Sequence, residues 1–142
     1  MPKMIFVNLP VSDLERSTRF YETIGASKNP QFSDATASCM VFSDTIYAML
    51  LTREKYAHFT SKKIVDASKE SEVLIALSAE SRDDVEAMVK KARTFGVTID
   101  PTPVQDFGFM YGRSFEDPDG HIWEVMWMDV EAASAADVSA DA

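Results

Sequence analysis

The sequence has a single cysteine and too few positive charges to balance its acids, and each shortage excludes a class of protein. Cys39 has no second cysteine to pair with, which excludes an internal disulfide and a zinc site built on several cysteines. The 14 lysines and arginines against 23 acids give a formal net charge of -9, which opposes binding to nucleic acid phosphates. No run approaches the roughly 20 apolar residues of a membrane helix, and the N-terminus lacks the layout of a secretory signal. We therefore expect a soluble, cytoplasmic protein with no nucleic acid or membrane partner.

The composition suits one globular domain. With 142 residues and 46% hydrophobic content, the chain is long and apolar enough to bury one core. We expect a single domain over residues 1–130. Residues 131–142 form an acidic run rich in alanine and serine, a composition that predicts disorder.

The first half of the chain is predicted to contain a strand, a capped helix and three short strands. Alternating apolar residues over Ile5–Val11 indicate the first strand, and Ser12 begins a capping box for the helix, which Gly25 ends. The three further strands are expected near 30–33, 38–43 and 46–52.

The second half repeats this order, which indicates an internal duplication. A strand from about residue 73 leads to a helix that Ser81 caps and Gly96 closes, and strands are expected near 98–104, 109–115 and 122–128. The fold class is therefore predicted as α+β, with two βαβββ modules at about 3–53 and 72–129 and a linker at about 54–71. Two such modules side by side form a curved mixed sheet with a concave pocket, where small ligands bind.

Glu124 is an acid inside an otherwise apolar strand. Ile122 and Met126 share its face, so we expect the carboxyl group to be at least half-buried. Burial without a partner favours the neutral acid and suits a general acid or base. The alternative is an ion pair with Arg113 on the preceding strand. Aligning the two halves of the chain brings Met49 opposite Glu124.

Other residues are candidates for contact with a ligand. Tyr111 and Arg113 share one face of their strand and supply a hydrogen-bond donor and a cation if that face is concave, or an ordinary surface if it faces outward. Asn8 is placed either to bond a ligand or to be satisfied by the neighbouring strand. The remaining candidates are predicted as apolar lining: Phe6, Met49, Leu74 and Met126.

Two motifs and the duplicated order carry a family resemblance over about residues 4–128. The motifs are Val7-Asn8-Leu9-Pro10-Val11-Ser12-Asp13-Leu14-Glu15-Arg16-Ser17 with Phe20-Tyr21, and Phe115-Glu116-Asp117-Pro118-Asp119-Gly120-His121-Ile122-Trp123-Glu124. They resemble the vicinal oxygen chelate superfamily, which includes glyoxalase I, bleomycin and fosfomycin resistance proteins, and extradiol dioxygenases.

The resemblance implies one divalent metal, held by the first and last strands of each module. The matching positions here are Phe6, Met49, Leu74 and Glu124, of which only Glu124 suits the usual metals. Because a catalytic site needs about three protein ligands, we expect neither a metal nor another cofactor.

Three functions follow from the resemblance. The first is a metal-free pocket that binds a small, partly hydrophobic molecule, with Glu124 as polar anchor or acid/base group. The second is a metal-dependent lyase or dioxygenase whose ligands include non-standard positions such as His58 or His121. The third is a resistance protein that sequesters a drug without turnover. A homodimer is expected in each case, since family members often pair across chains.

Overall fold

The computed structural model describes residues 2–132 and residue 134, and they divide into two compact units. Unit 1 comprises the described residues up to Ser71 together with Pro118–Gly120, and unit 2 comprises Glu72–Asp117 and the described residues from His121 onward. No helix in the described part of the chain is long and apolar enough to span a membrane. Of the predicted disordered tail, residues 131, 132 and 134 are helical, and the rest lies outside the described residues.

Unit 1 is a βαβββ module with a short helix after it. Its strands are β1 (Ile5–Val11), β2 (Ser27–Asn29), β3 (Ala37–Val41) and β4 (Ile46–Thr52), and its helices are α1 (Leu14–Thr23) and α2 (Arg53–Ala57), with a 3-10 helix at Pro30–Phe32. The sheet order is β1-β4-β3-β2, with β1 parallel to β4. Helix α1 covers one face of this sheet with the buried side chains of Phe20 and Tyr21, and the Thr18 and Ser38 hydroxyls share a 2.8 Å hydrogen bond across that contact.

Unit 2 repeats the same module. It contains β5 (Leu74–Ser78), α3 (Arg82–Thr94), β6 (Gln105–Asp106), β7 (Met110–Glu116) and β8 (Ile122–Met128), in the sheet order β5-β8-β7-β6. The Ser81 hydroxyl caps α3 by accepting from the backbone N–H of Asp84 at 3.0 Å. Val85 and Val89 of α3 are buried against the sheet, and Trp123 and Val125 of β8 are buried on the face that packs against α3. The predicted α+β class with two βαβββ modules is therefore confirmed.

Two of the predicted strands are wrong, and one cap moves by a residue. Residues 30–32 form a 3-10 helix, because Pro30 has no N–H for a sheet and the Asn29 side chain caps the turn. Over 98–104 the structure has only an isolated bridge from Ile99 to Phe115, followed by the short strand β6. Helix α1 is capped by Asp13 rather than Ser12, whose backbone N–H donates instead to Asp119 Oδ1 at 2.8 Å.

Candidate functional site

The sheet of unit 1 has one face that α1 leaves uncovered. Strand alternation and register bring the side chains of Phe6, Tyr47, Met49 and Cys39 to this face, because Phe6 is opposite Tyr47 and Cys39 is opposite Met49. The opposite face holds core residues such as Leu9, which is 4% exposed, whereas Phe6 is 46% exposed. The sequence therefore leaves an aromatic side chain in the open on the uncovered face.

An apolar depression of ≈ 480 Å³ lies on this uncovered face. The Phe6 and Tyr47 rings are stacked within it, with centroids 4.6 Å apart and planes 11° apart. Burial raises the pKa of the Cys39 thiol, so that group stays neutral. No lining residue carries a charge; the lining consists of Met4, Phe6, Asn29, Phe32, Cys39, Tyr47 and Met49.

Two predicted ligand-contact residues, Phe6 and Met49, line this depression, and a third lies beside it. Asn8 is opposite Met49 in the register but is not among the lining residues. Its side-chain amide donates to the Phe6 carbonyl oxygen at 3.3 Å. The bond lies within its own strand and not to the neighbouring strand, so the role of Asn8 in ligand binding stays a prediction.

Glu124 lies on the face of the unit 2 sheet that α3 does not cover. It is opposite Ala76 on β5 and Ser114 on β7, and Leu74 and Met126 share its face by strand alternation. The carboxyl group is half-buried, and in the described part of the chain no hydrogen bond or ion pair reaches it. Beside it is a cleft of only ≈ 10 Å³, about the space of one water molecule.

A loop borders this cleft and is tied to the sheet. The Ser114 hydroxyl accepts from the Thr102 backbone N–H at 3.0 Å and donates to the Thr102 carbonyl at 3.2 Å. Glu116 also shares the Glu124 face, since it is opposite Ile122. Burial, together with the neighbouring Asp117, raises the pKa of the Glu116 carboxyl. The sheet face around Glu124 therefore carries two acids.

Arg113 does not pair with Glu124, so that alternative is wrong. Arg113 is opposite Val125 in the register, which directs its side chain to the α3 side of the sheet. There its guanidinium contacts Asp100 at 2.6 Å and Glu86 at 2.9 Å. The pKa of Asp100 is lowered, first by its hydrogen bond from Arg113.

Tyr111 belongs to the same polar network on the α3 side. Its hydroxyl donates to Glu86, which raises the pKa of the phenol, and the Arg82 guanidinium lies 4.4 Å from its ring centroid. Arg82 in turn pairs with Asp106 at 2.7 Å. These contacts hold α3 to the sheet and leave both Tyr111 and Arg113 on the face opposite Glu124, so their role in ligand binding stays a prediction.

The register supports the equivalence drawn between the two halves of the chain. Met49 is opposite Asn8 on β1, and Glu124 is opposite Ala76 on β5. Phe6 and Leu74 each stand two residues before those partners. The four positions that correspond to the metal ligands of the resemblance are therefore structurally equivalent in pairs.

The donor chemistry at these positions does not fit a divalent metal. The two unit 1 positions offer a phenyl ring and a soft thioether, and of the unit 2 positions only Glu124 has an oxygen donor. His58 ends α2 at the surface, and the His121 backbone N–H donates to Asp117 Oδ1 at 2.8 Å within a turn. Within the described residues, no group of three histidine, cysteine, aspartate or glutamate side chains is arranged to hold a metal ion.

The family model of the Glyoxalase/Bleomycin resistance protein/Dioxygenase superfamily matches residues 3–125. The chain belongs to this superfamily. No curated protein sequence is similar enough to count as a match. Superfamily membership agrees with the duplicated βαβββ order and with the two sequence motifs.

Solved structures with a similar fold include proteins from several bacteria. Hypothetical protein SA1046 from S. aureus is 26% identical, with 89% of this chain and 95% of that chain covered and a TM-score of 0.72. A glyoxalase-related enzyme from Fulvimarina pelagi is 19% identical, with 89% and 88% covered and a TM-score of 0.73. The fosfomycin resistance protein FosX from Mesorhizobium loti is 16% identical, with 94% and 98% covered and a TM-score of 0.68.

Several lining residues of this superfamily member escaped the sequence reasoning. Tyr47 is two residues before Met49 on the same strand, so alternation places both on one face and carried the signal for Tyr47. Phe32 lies in the 3-10 helix that replaces the predicted strand 30–33, and Asn29 caps that helix. The Asn29-Pro30 pair was the available signal, since asparagine before proline is typical of a capped turn.

Proposed function

We propose that this superfamily member binds a small, partly hydrophobic molecule on the uncovered sheet face of unit 1. The observation that supports this is the uncharged depression of ≈ 480 Å³ around the Phe6–Tyr47 stack. Its volume lies within the range of about 300–1,000 Å³ for small-molecule sites. Exposing aromatic surface to water is unfavourable in free energy, so an apolar ligand that covers these rings is stabilised by the hydrophobic effect.

A thermal-shift screen of small aromatic and carbonyl compounds tests the proposal. Ligands that bind the folded protein raise its Tm by mass action. We expect hits whose shift is lost in Phe6→Ala and kept in Phe59→Ala, because Phe59 is also exposed, at 68%, but does not line the depression. A screen without hits, or equal loss in both variants, would contradict the proposal.

The proposal includes binding without the usual divalent metal. Its support is the donor set, in which three of the four equivalent positions offer phenyl, thioether and aliphatic side chains. The competing function is a metal-dependent lyase or dioxygenase with non-standard ligands. Elemental analysis of tag-free protein decides between them, since stoichiometric zinc, nickel, iron or manganese would overturn the metal-free proposal.

Turnover is a second candidate function, and the environment of Glu124 favours it. A half-buried carboxyl group without a partner in the described part of the chain, on an uncovered face, is available to move a proton. With a ligand identified, Glu124→Gln separates the cases. Loss of turnover with affinity kept supports acid/base work, whereas a wild type that binds without any turnover supports sequestration of the resistance type.

We also propose that the protein forms a homodimer. The first strand of each module lies at an edge of its sheet, and Ile5 and Leu74 on these strands are each 56% exposed. Edge strands with exposed apolar side chains favour association with a second chain. Sedimentation of a single monomeric species at micromolar concentration would contradict this proposal.

A further inference from the structure

Asn29 is held in one orientation by the turn that it caps. Its Oδ1 lies 3.0 Å from the backbone N–H of Gln31. A backbone N–H can only donate, so the atom that faces it is the amide oxygen, and the amide N–H groups point elsewhere. The turn itself is braced, because Ser33 Oγ donates to the Asn29 carbonyl at 2.6 Å and accepts from the Cys39 N–H at 3.0 Å.

The amide of Asn29 is part of the lining of the depression. Asn29 is opposite Cys39 in the β2–β3 register, and Cys39 is opposite Met49, so the three residues form a row across the sheet face. In the part of the chain that the structure describes, no acceptor is bonded to the Asn29 amide nitrogen. Both N–H groups of the Asn29 amide are therefore available to donate to a ligand in this mostly apolar lining.

We infer that Asn29 selects ligands that carry an uncharged hydrogen-bond acceptor, such as a carbonyl oxygen, attached to a flat apolar group. The inference rests on the proposed function and specifies its ligand class. The flat group covers the Phe6–Tyr47 stack, and the acceptor bonds to the Asn29 amide. An ionised ligand is disfavoured, because the lining offers no opposite charge to offset its desolvation.

A pair of isosteric probes isolates this hydrogen bond. The molecules 2-acetylnaphthalene and 2-isopropenylnaphthalene share one heavy-atom skeleton, but only the ketone has a strong acceptor. One such bond makes the ketone bind roughly three- to tenfold tighter to the wild type. Dissociation constants for both probes, measured by titration, give this ratio without reference to turnover.

Two variants remove the donors while keeping the turn. Aspartate accepts from the Gln31 N–H as an N-cap residue, and glycine is tolerated at an N-cap without a side chain, so Asn29→Asp and Asn29→Gly retain the turn. The Asp variant replaces the amide with a carboxylate that has no donor, and the Gly variant removes the donors without adding charge. Ser27→Asp is the matched control, because Ser27 shares the strand and face of Asn29 but does not line the depression.

The expected result is a ketone preference in the wild type and in Ser27→Asp that falls to near parity in both Asn29 variants. Equal binding of the two probes to the wild type, or a preference that survives in both Asn29 variants, overturns the inference and leaves the proposed function standing. Failure of both probes to bind the wild type removes the proposed function and the inference with it.

Discussion

Replacing Gly120 with alanine should destabilise the protein more than replacing other glycines of similar conformation. Gly120 has φ +99, and a Cβ added there would lie 2.7 Å from the Ala67 carbonyl oxygen and 2.7 Å from Ser68 Cα. Both neighbours are backbone atoms, so no side-chain rotation relieves the contact. The turn cannot easily withdraw either, because Asp119 is bonded to the Ser12 N–H at 2.8 Å.

The cost has two parts that can be separated. An alanine at positive φ costs about 1–2 kcal/mol, and overpacking against a fixed neighbour adds about 1–3 kcal/mol. Gly120→Ala should therefore lower the free energy of unfolding by about 2–5 kcal/mol. Gly25 and Gly96, at φ +113 and +85, bracket this conformation and have nothing within 4 Å of an added Cβ, so they carry only the first part.

Urea unfolding of the three variants, followed by tryptophan fluorescence and far-UV circular dichroism, gives the comparison. Alanine also stiffens the unfolded chain, but this gain is shared by all three variants and cancels in the difference. The expected difference between Gly120→Ala and either control is the overpacking part alone. If Gly120→Ala lies within about 0.5 kcal/mol of the controls, the usual limit of additivity, the steric reasoning is refuted.

Three further predictions concern the packing of α1 and α3 on their sheets. Ser17 Oγ is buried without a hydrogen-bond partner in the described part of the chain, so Ser17→Ala should raise the free energy of unfolding by about 1 kcal/mol; a lower urea midpoint at unchanged m-value would contradict this. Arg113→Met removes the cation that pairs with Asp100 and Glu86 and should cost about 1–3 kcal/mol, reduced by the exposure of Glu86; an unchanged midpoint would show that the network is dispensable. Because Arg113 lowers the pKa of Asp100, this pair stabilises the fold above the unfolded pKa of about 3.9, and the contribution is lost as pH falls through the lower folded value. As the pH falls from about 5 to about 2, the free energy of unfolding should therefore decrease less in Asp100→Asn than in the wild type. An equal decrease in both proteins would contradict this prediction.

Elements with strong periodicity were predictable because local pattern and burial agree in them. The strands Ile5–Val11 and Ile46–Thr52 have the bounds that alternation indicates, and the glycines at the ends of α1 and α3 adopt positive φ. The equivalence of Met49 and Glu124 also followed from the repeated order. These features depend on near neighbours in the chain, which a sequence displays directly.

The misassigned segments depend on distant partners. The stretch 98–104 is predicted as a strand, but Pro101 and Pro103 have no N–H for a sheet, and Ser114 bonds to the Thr102 backbone groups, so the structure has only one bridge, at Ile99. Arg113 was expected near Glu124 because their strands are adjacent. The register of β7 against β8 decides which side of the strand Arg113 occupies. The packing of α3 on the sheet brings Asp100 and Glu86 to that side.

The duplicated α+β module follows from the sequence, because periodicity and turn residues are local properties. The superfamily came from the resemblance of two motifs, and three of the four positions that match its metal ligands carry side chains that do not suit the usual metals. Which face of each sheet remains uncovered, and the stacking of Phe6 on Tyr47 there, depend on the tertiary structure. The physical reason is that a hydrogen bond or a ring contact needs two groups within a few ångströms. Residues far apart in the chain reach that distance only when helix packing and strand register bring them together.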